Sequence, residues 1–464
     1  VRHTVSAKFD AAQTTAENRN HWANADNLSP NAAASPAVRQ VIRNRARYEV
    51  ANNSYARGML LTLANDVIGT GPRLQLLTSD SKLNQAVERA FAEWSKTVNL
   101  ASKLRTMRMA VAQDGEAFAM MVTNPGTGSP IGLDIELIEA DRITSPQTQR
   151  LFSDQMDPAD GIEVDAYGNP QSYHLLRQHP GSNASVVVPD YLQVAAAAML
   201  HLFRSDRPGQ RRGLPEIMPA LPLFAQLRRY TLAVVAAAET AANMAVLMET
   251  PAPAGGEAAD VDAGVEMELT RNQALFMPEG WTATQLKAEQ PTTTYAMFKA
   301  EILNEIARCL NMPFNVAAGN SSAYNYASGR LDHQTYYKSI RVDQTQIEST
   351  VLDRVFAAWL NEAALVLNFN PKIMVASPHQ WFWDGTEHVD PAKEATAQAQ
   401  RLASHTTTLA AEYARQGKDW ETEIQQCGKE AQLLTQLGLT PPAMQPTQPD
   451  DPEEPANERK QQQT

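Results

Sequence analysis

Two Gly-Lys pairs, Gly417-Lys418 and Gly428-Lys429, could end a phosphate loop, the G-x-x-x-x-G-K-[ST] turn whose backbone N–H groups and lysine hold nucleotide phosphates. Glu412 and Glu423 stand where its first glycine must be, so neither pair forms it. His379, Asp384, Glu387, His388 and Asp390 crowd one segment and carry the donor types of a metal site, but their spacing fits no standard ligand pattern. G-x-S-x-G and H-E-x-x-H are missing. Gly69-Thr70-Gly71-Pro72 and Gly126-Thr127-Gly128 read as turns, because neither opens a predicted helix as a phosphate cradle must. The two cysteines, Cys309 and Cys427, make no CxxC or ligand pair, which argues against a disulfide framework and a structural zinc. The expectation is therefore a protein that is not an enzyme and holds no metal or cofactor.

Basic residues are the remaining chemistry. Arg207-Pro208-Gly209-Gln210-Arg211-Arg212-Gly213 is a basic turn, its glycines and proline permitting backbone angles that other residues resist. Arg39, Arg43 and Arg47 fall four apart on one helical face, with Arg45 beside them. They read as a solvated or subunit-pairing stripe rather than a phosphate-binding one. A formal net charge of −12 over 464 residues agrees, since phosphate neutralisation by clustered Lys and Arg supplies most nucleic-acid affinity. Any contact with DNA should be local or weak.

These residues hang on a mixed set of elements. Residues 1–34 read as a polar arm with Trp22 its one large aromatic. Ser35-Pro36 supplies an N-cap and a first-turn proline for a helix predicted to run to about Ile68, stopped by Gly69. Arg73–Leu77 is a short strand, and helices follow at 80–97 and 101–114, the first with Val87, Phe91 and Trp94 at helical spacing. Glu116–Thr123 and Leu133–Ile138 read as strands; so do Ile162–Ala166 and Ser172–Arg177, which flank the hairpin signal Tyr167-Gly168-Asn169-Pro170. Val186–Val188 is a further strand candidate, and Met199–Phe203 leads into the basic turn.

A long helix is predicted from about Leu221 or Pro222 to Met248, with only Arg228, Arg229 and Glu239 charged after Leu223 and seven alanines between Ala233 and Ala245. Composition alone reads it as a buried core helix that a neighbour can approach closely. Its uncharged runs are far short of the ~20 apolar residues a bilayer core needs. Residues 251–290 then form an excursion with strand candidates Val265–Leu269, Gln273–Met277 and Trp281–Gln285, before a helix over Thr294–Leu310. A polar loop over Asn320–Arg330, a third long helix over Leu331–Leu367, the aromatic turn Trp381-Phe382-Trp383-Asp384-Gly385 and helices at 391–415 and 419–437 complete the ordered part. The Pro-, Gln- and acid-rich end, 438–464, reads as disordered. No apolar leader segment is visible in the first twenty residues, so the expectation is a soluble protein made in a reducing cytoplasm.

Several of these motifs, in this order, carry a family likeness. They are Arg43-Asn44-Arg45-Ala46-Arg47-Tyr48 with Asn52-Asn53, Asn65-Asp66-Val67-Ile68-Gly69-Thr70-Gly71-Pro72, and His201-Leu202-Phe203 with Arg207–Pro215. Asn325-Tyr326-Ala327-Ser328-Gly329-Arg330, Trp381–Gly385 and Asp390-Pro391-Ala392-Lys393-Glu394 follow. Across roughly residues 20–435 the chain resembles the portal proteins of tailed double-stranded DNA phages, in the lambda-like branch.

The resemblance implies an α+β portal fold. Its parts would be an arm (1–34), a mixed α/β wing (35–213), two stem helices (214–250 and 291–313) around a small clip module (251–290), a tunnel loop (314–330), a long wing helix with its return (331–390), a helical crown (391–437) and a tail (438–464). It implies a homo-oligomeric ring, usually of twelve, at the capsid vertex of a virion assembled in the host cytoplasm. Double-stranded DNA would pass through weakly and non-specifically; the other partners would be the terminase large subunit, a head-completion or adaptor protein, and the major capsid protein or scaffold, with no membrane.

The implied channel and tunnel-loop residues are Asn320, Ser321, Ser322, Tyr324, Asn325, Tyr326 and Arg330; alternatively Tyr324 and Tyr326 pack on a neighbouring subunit. Arg207, Gln210, Arg211 and Arg212 would brace the wing–stem junction, and Arg271, Glu279, Trp281 and Lys287 would dock partners on the clip. A non-channel oligomeric virion scaffold or adaptor is the alternative reading.

Overall fold

The computed structural model describes residues 15–146, 159–182, 189–242, 246–249, 282–285, 292–322, 326–369, 378–385 and 391–439. In chain order, Pro30–Ala33 (α1), Pro36–Asn52 (α2) and Ser54–Ile68 (α3) are helical, followed by the strand Arg73–Leu76 (β1) and the helices Ser81–Thr97 (α4) and Leu100–Asp114 (α5). Six strands come next: Glu116–Thr123 (β2), Leu133–Ile138 (β3), Ile162–Val164 (β4), Pro170–Leu176 (β5), Tyr191–Ala195 (β6) and Met199–Phe203 (β7). Leu221–Ala242 (α6), strands Val246–Glu249 (β8) and Thr282–Gln285 (β9), and helices Thr292–Arg308 (α7), Phe314–Ala318 (α8) and Tyr326–Ile347 (α9) follow. A π-turn at Glu348–Leu352 joins α9 to Asp353–Val366 (α10). The strand His379–Phe382 (β10) and helices Pro391–Ala403 (α11), Leu409–Arg415 (α12) and Trp420–Gln436 (α13) complete the set. No helix among the described residues is long and apolar enough to cross a membrane.

Several elements differ from the sequence expectation. The helix predicted over 36–68 is two helices, because Asn53 takes an extended conformation (φ −125°, ψ 115°) and its Oδ1 accepts from the Tyr55 and Ala56 amides. An asparagine that can satisfy the first free N–H groups of a helix is a start signal even inside a helical pattern. The long helix stops at Ala242, a rod of roughly 33 Å. Val246–Glu249 pairs antiparallel with Thr282–Gln285 instead, a distant partner overriding local helix propensity. Nor is α6 a buried core helix: Phe224 and Leu227 are buried but Leu232 is 63% exposed. The third long helix starts earlier than predicted, at Tyr326, and the aromatic turn contains a strand. The helix expected over 391–415 is interrupted, with His405 at φ 55°. Strand β6 was not expected, and the candidates Val186–Val188, Val265–Leu269 and Gln273–Met277 lie outside the described residues.

The chain divides into two units: residues 1–67, 105–124 and 133–358, and residues 68–104, 125–132 and 359–464. The first holds two antiparallel three-stranded sheets, ordered β3-β2-β7 and β4-β5-β6. Phe118 on β2 stands opposite both Ile138 and His201, and its ring meets the edge of Tyr173 on β5 at 6.0 Å. Ile138, Ile143, Ile162, Leu175, Val194 and Met199 fill the same core.

In the second unit the predicted face of α4 holds: Val87, Phe91 and Trp94 are buried, with Phe91 5.2 Å from Trp359 and 5.6 Å from Trp381. Strand β1 pairs antiparallel with β10, Arg73 opposite Phe382. This pairing explains two glycine motifs. Asp384 accepts from the Thr70 hydroxyl at 2.7 Å and from Arg73 at 2.9 Å, and its carboxylate fills the space a Cβ on Gly69 would need. Asp384→Ala removes these bonds from a partly exposed site. An expected loss of about 1–2 kcal/mol is measurable by urea unfolding followed through tryptophan fluorescence; an unchanged midpoint would refute the role.

Candidate functional site

The basic turn lies between β7 and α6, and its arginines do different things. Glu116 opens β2 directly after Gly115, and the β2–β7 register puts Glu116 opposite Phe203 and Phe118 opposite His201. Alternation along the strands therefore places Glu116, Phe118, His201 and Phe203 on one face. Arg212 reaches this face from the turn: its Nη2 lies 2.6 Å from Glu116 Oε1 and its Nε 2.8 Å from Oε2, a two-pronged ion pair. Its Nη1 donates to the Ile143 carbonyl at 3.1 Å and also to that of Asp160. Arg212 stands over the Phe118 ring as well, 5.4 Å from its centroid.

Helix α2 brings the rest. Arg43 Nη2 lies 3.2 Å from Glu116 and Nη1 2.7 Å from Asp141, while Arg39 pairs with Asp160 at 2.8 Å. Arg39 and Arg43 are buried, so the expected solvated or subunit-pairing stripe is corrected to an internal network. The spacing put the arginines on one face, but only the carboxylates opposite decided that the face turns inward. Arg47, one turn on, reaches Asp114, Asp141 and Glu139 at 2.7–2.8 Å. His179 joins Glu139 and Asp141 with donor atoms within 4.8 Å, and both carboxylates are already ion-paired with the Arg47 guanidinium.

Burial opposes ionisation of Glu116, but the Arg212 charge and hydrogen bonds from His201 and Arg212 outweigh it and hold the carboxyl well below its usual range. Burial pushes His201 down, despite its bond to Glu116. The neutral ring then donates from Nε2 at 3.2 Å while stacking on Phe118 at 4.1 Å and Phe203 at 4.4 Å. Burial, with the nearby Arg212 charge, pushes Arg39 down to about 10. Both Glu116 oxygens are engaged, by Arg212, Arg43, His201 and the Gly213 amide, which makes this cluster a structural brace.

Gln210 shapes the turn: its Oε1 accepts from the Asp206 and Arg207 amides and its Nε2 donates to the Arg212 carbonyl at 2.9 Å. Arg207, which is exposed, and the half-buried Arg211 hold the N-terminal segment. Arg207 Nη2 donates to the Leu28 carbonyl at 3.0 Å, and the Arg211 amide to Asn31 Oδ1 at 3.1 Å.

Helices α6 and α7 form a pair. Tyr230 packs against Tyr295 (5.6 Å) and Phe298 (4.6 Å), and the turn Met218–Ala220 that precedes α6 also touches α7, so the helices run antiparallel. Arg228 anchors α6 to α2 through Glu49 at 2.7 Å and the Tyr48 ring, and Lys299 anchors α7 to α3 over the Tyr55 ring at 5.1 Å. Outside these contacts the pair exposes large apolar side chains: Leu232 (63%), Met297 (65%), Val235 (48%) and Phe298 (48%).

Beyond α7 the described residues of the expected loop over 314–330 are largely helical, a correction. Phe314–Ala318 is α8, capped by Gly319 at φ 62°, and Arg330 is an exposed residue within α9 rather than on a loop. Gly319 supplies the left-handed turn that ends α8. Asn320, Ser321 and Ser322 form the exposed connection, tied back by the Asn320 amide to the Asn315 carbonyl at 3.0 Å. Tyr326 opens α9; Tyr324 and Asn325 lie outside the described residues, as do Arg271, Glu279, Trp281 and Lys287.

Glu116 and His201 were missed as site residues. Each is an ionisable group inside an apolar strand, Glu116-Ala117-Phe118-Ala119 and Met199-Leu200-His201-Leu202, and that is the signal that could have found them.

The sequence model of the family described as "Phage portal protein, lambda family" matches residues 16–344. A "Probable portal protein" of Halomonas phage phiHAP-1 is 25% identical over 467 residues, covering 95% of this chain and 89% of that protein. Among solved structures, a chain from the neck of a native GTA particle computed with C12 symmetry has a TM-score of 0.48 at 12% identity, over 88% of this chain and 95% of that one. One from the neck of the empty particle, computed with C6 symmetry, has a TM-score of 0.47 at 12% identity, over 80% and 92%. The family match takes in the arginine network, the basic turn and both paired helices, and the chain belongs to the lambda family of phage portal proteins.

Proposed function

We propose that the chain assembles into a closed ring, of twelve copies, at one vertex of a phage capsid. The ring is the conduit through which double-stranded DNA enters during packaging and leaves during ejection. It is also the platform on which the terminase large subunit, and later a head-completion or adaptor protein, dock, while its rim meets the capsid protein or scaffold. The observation that carries this reading is the α6–α7 pair: in a member of the portal family, two antiparallel helices expose large apolar side chains that a lone subunit leaves in water. Wing, stem, clip, tunnel loop and crown are the names this reading gives to the successive parts of the chain.

Charge supports a conduit over a clamp. A chain of −12 makes a twelve-copy ring of roughly −144 before counter-ions. Arg39, Arg43 and Arg212 are spent on buried carboxylates rather than offered to phosphate. DNA held by few cations slides, because each phosphate contact adds to affinity and to the barrier to movement. On this reading the protein is not an enzyme and the packaging ATPase is a separate chain.

The test is electron microscopy of the purified full-length chain together with native mass measurement. Rings with a central hole wide enough for duplex DNA are expected. A species that stays monomeric at every concentration, or a closed oligomer with no hole, would overturn the proposal.

A further inference from the structure

The α6–α7 pair carries opposite charges on two different exposed faces. Arg229 lies about 200° around α6 from the buried Leu227, with exposed Ala225, Leu232 and Ala233 beside it. On α7, Met297, Glu301 and Glu305 follow one another at four-residue spacing on an exposed row. Arg229, Glu301 and Glu305 make no ion pair among the described residues, whereas neighbouring Arg228 and Lys299 are engaged by α2 and α3.

Height along the pair decides what could meet what. Tyr230 is level with Tyr295 and Phe298, so in this antiparallel pair Arg229 is level with about residues 296–299 and roughly 3–8 Å, measured along the axis, from Glu301, a distance an arginine side chain can span. A rotation about a ring axis moves a subunit sideways and leaves height unchanged for helices lying along that axis. Groups on the two faces that share a height in one chain therefore face each other across neighbouring chains.

We infer that a second copy of this chain covers this surface. The α6 face around Arg229 receives the α7 row of its neighbour, Arg229 pairing with Glu301 while Met297 enters the shallow ground left by Ala225 and Ala233. The contact is heterologous, one face against a different one, which is the kind that generates rings. The inference rests on the ring reading and adds the register: the apolar contact supplies attraction, and the charge pair rejects a neighbour shifted by a turn or reversed.

The experiment is charge exchange in the full-length chain, read as ring yield by mass photometry at moderate salt. Arg229→Glu and Glu301→Arg are each expected to lower ring yield about tenfold, and the double variant to recover it. Mixing the two single variants is the sharper test. Arg229→Glu subunits carry two acidic faces and Glu301→Arg subunits two basic ones, so neither assembles alone while the mixture forms rings by alternation. Both positions are exposed, and circular dichroism should show unchanged folding. Single variants that assemble like the wild type would overturn the inference and leave the ring reading standing, with a different partner covering this face. A mixture that fails to recover would overturn it too. Absence of rings from the wild type would instead sink the ring reading itself.

Discussion

Arg212→Ala is expected to destabilise the first unit by about 3–5 kcal/mol, the cost of breaking a buried pair from one side. Arg212 is 1% exposed, and its removal leaves Glu116 in the core with Arg43 at 3.2 Å as its remaining arginine partner among the described residues, beside a neutral His201 and the Gly213 amide. Thermal unfolding followed by far-UV circular dichroism measures the loss, and hydrogen exchange should place it on β2 and β7. Removing both charges, as in Arg212→Met with Glu116→Leu, should cost much less, because no lone charge remains. A loss below about 1 kcal/mol for Arg212→Ala would mean that water reaches Glu116 and the network is not closed.

The same cluster sets a pH dependence. The folded Glu116 carboxyl is held below its unfolded value, so its stabilisation is fully present above the unfolded pKa of about 4.3 and is lost as pH falls through the lower folded value. His201 is also depressed. Below about pH 6.5 the unfolded chain binds a proton that the folded ring refuses, so stability drops as the solution is acidified from neutrality. His201→Gln should flatten the loss between pH 7 and 5 while leaving the steeper acid limb. An unaltered profile would show that His201 does not titrate differently on folding.

Gly213→Ala is expected to cost more than about 3 kcal/mol, with much of the protein insoluble, because it forces two backbones apart. A Cβ on Gly213 would meet the Gly115 carbonyl oxygen at 1.9 Å, and one on Gly115, which sits at φ 95°, would meet the Leu214 backbone at 2.5 Å. These glycines let the basic turn lie against the start of β2, close enough for the Gly213 amide to donate to Glu116 at 3.1 Å. Moving the turn by the ångström or more that a methyl demands would break that bond and misalign Arg212. Gly58→Ala is the control: this glycine lies inside α3 with open space around it, and the change should stabilise by about 0.5–1 kcal/mol. Equal effects from the two substitutions, read by soluble yield and urea unfolding, would contradict the close approach.

Features written within a few residues of one another were legible in the sequence alone. Val87, Phe91 and Trp94 announced their helix and its buried side by spacing, and Tyr167–Pro170 announced a hairpin. Pro222 and the residues around it marked where α6 begins, and the order of several short motifs carried the family. Each depends on local geometry: a 3.6-residue period, a fixed proline φ, a turn that few residues can make. Tertiary structure decided the rest. Arg39, Arg43 and Arg212 look like surface charge until Asp160, Asp141 and Glu116 arrive from distant segments to neutralise them. The strand at Val246–Glu249 has the composition of the helix before it and becomes a strand because Thr282–Gln285 is there to pair with it. Asp384 owes its importance to Thr70 and Arg73, which precede it by more than three hundred residues. Burial and pairing are properties of what stands opposite a residue, and a one-dimensional pattern records a residue's neighbours in the chain but not its neighbours in space.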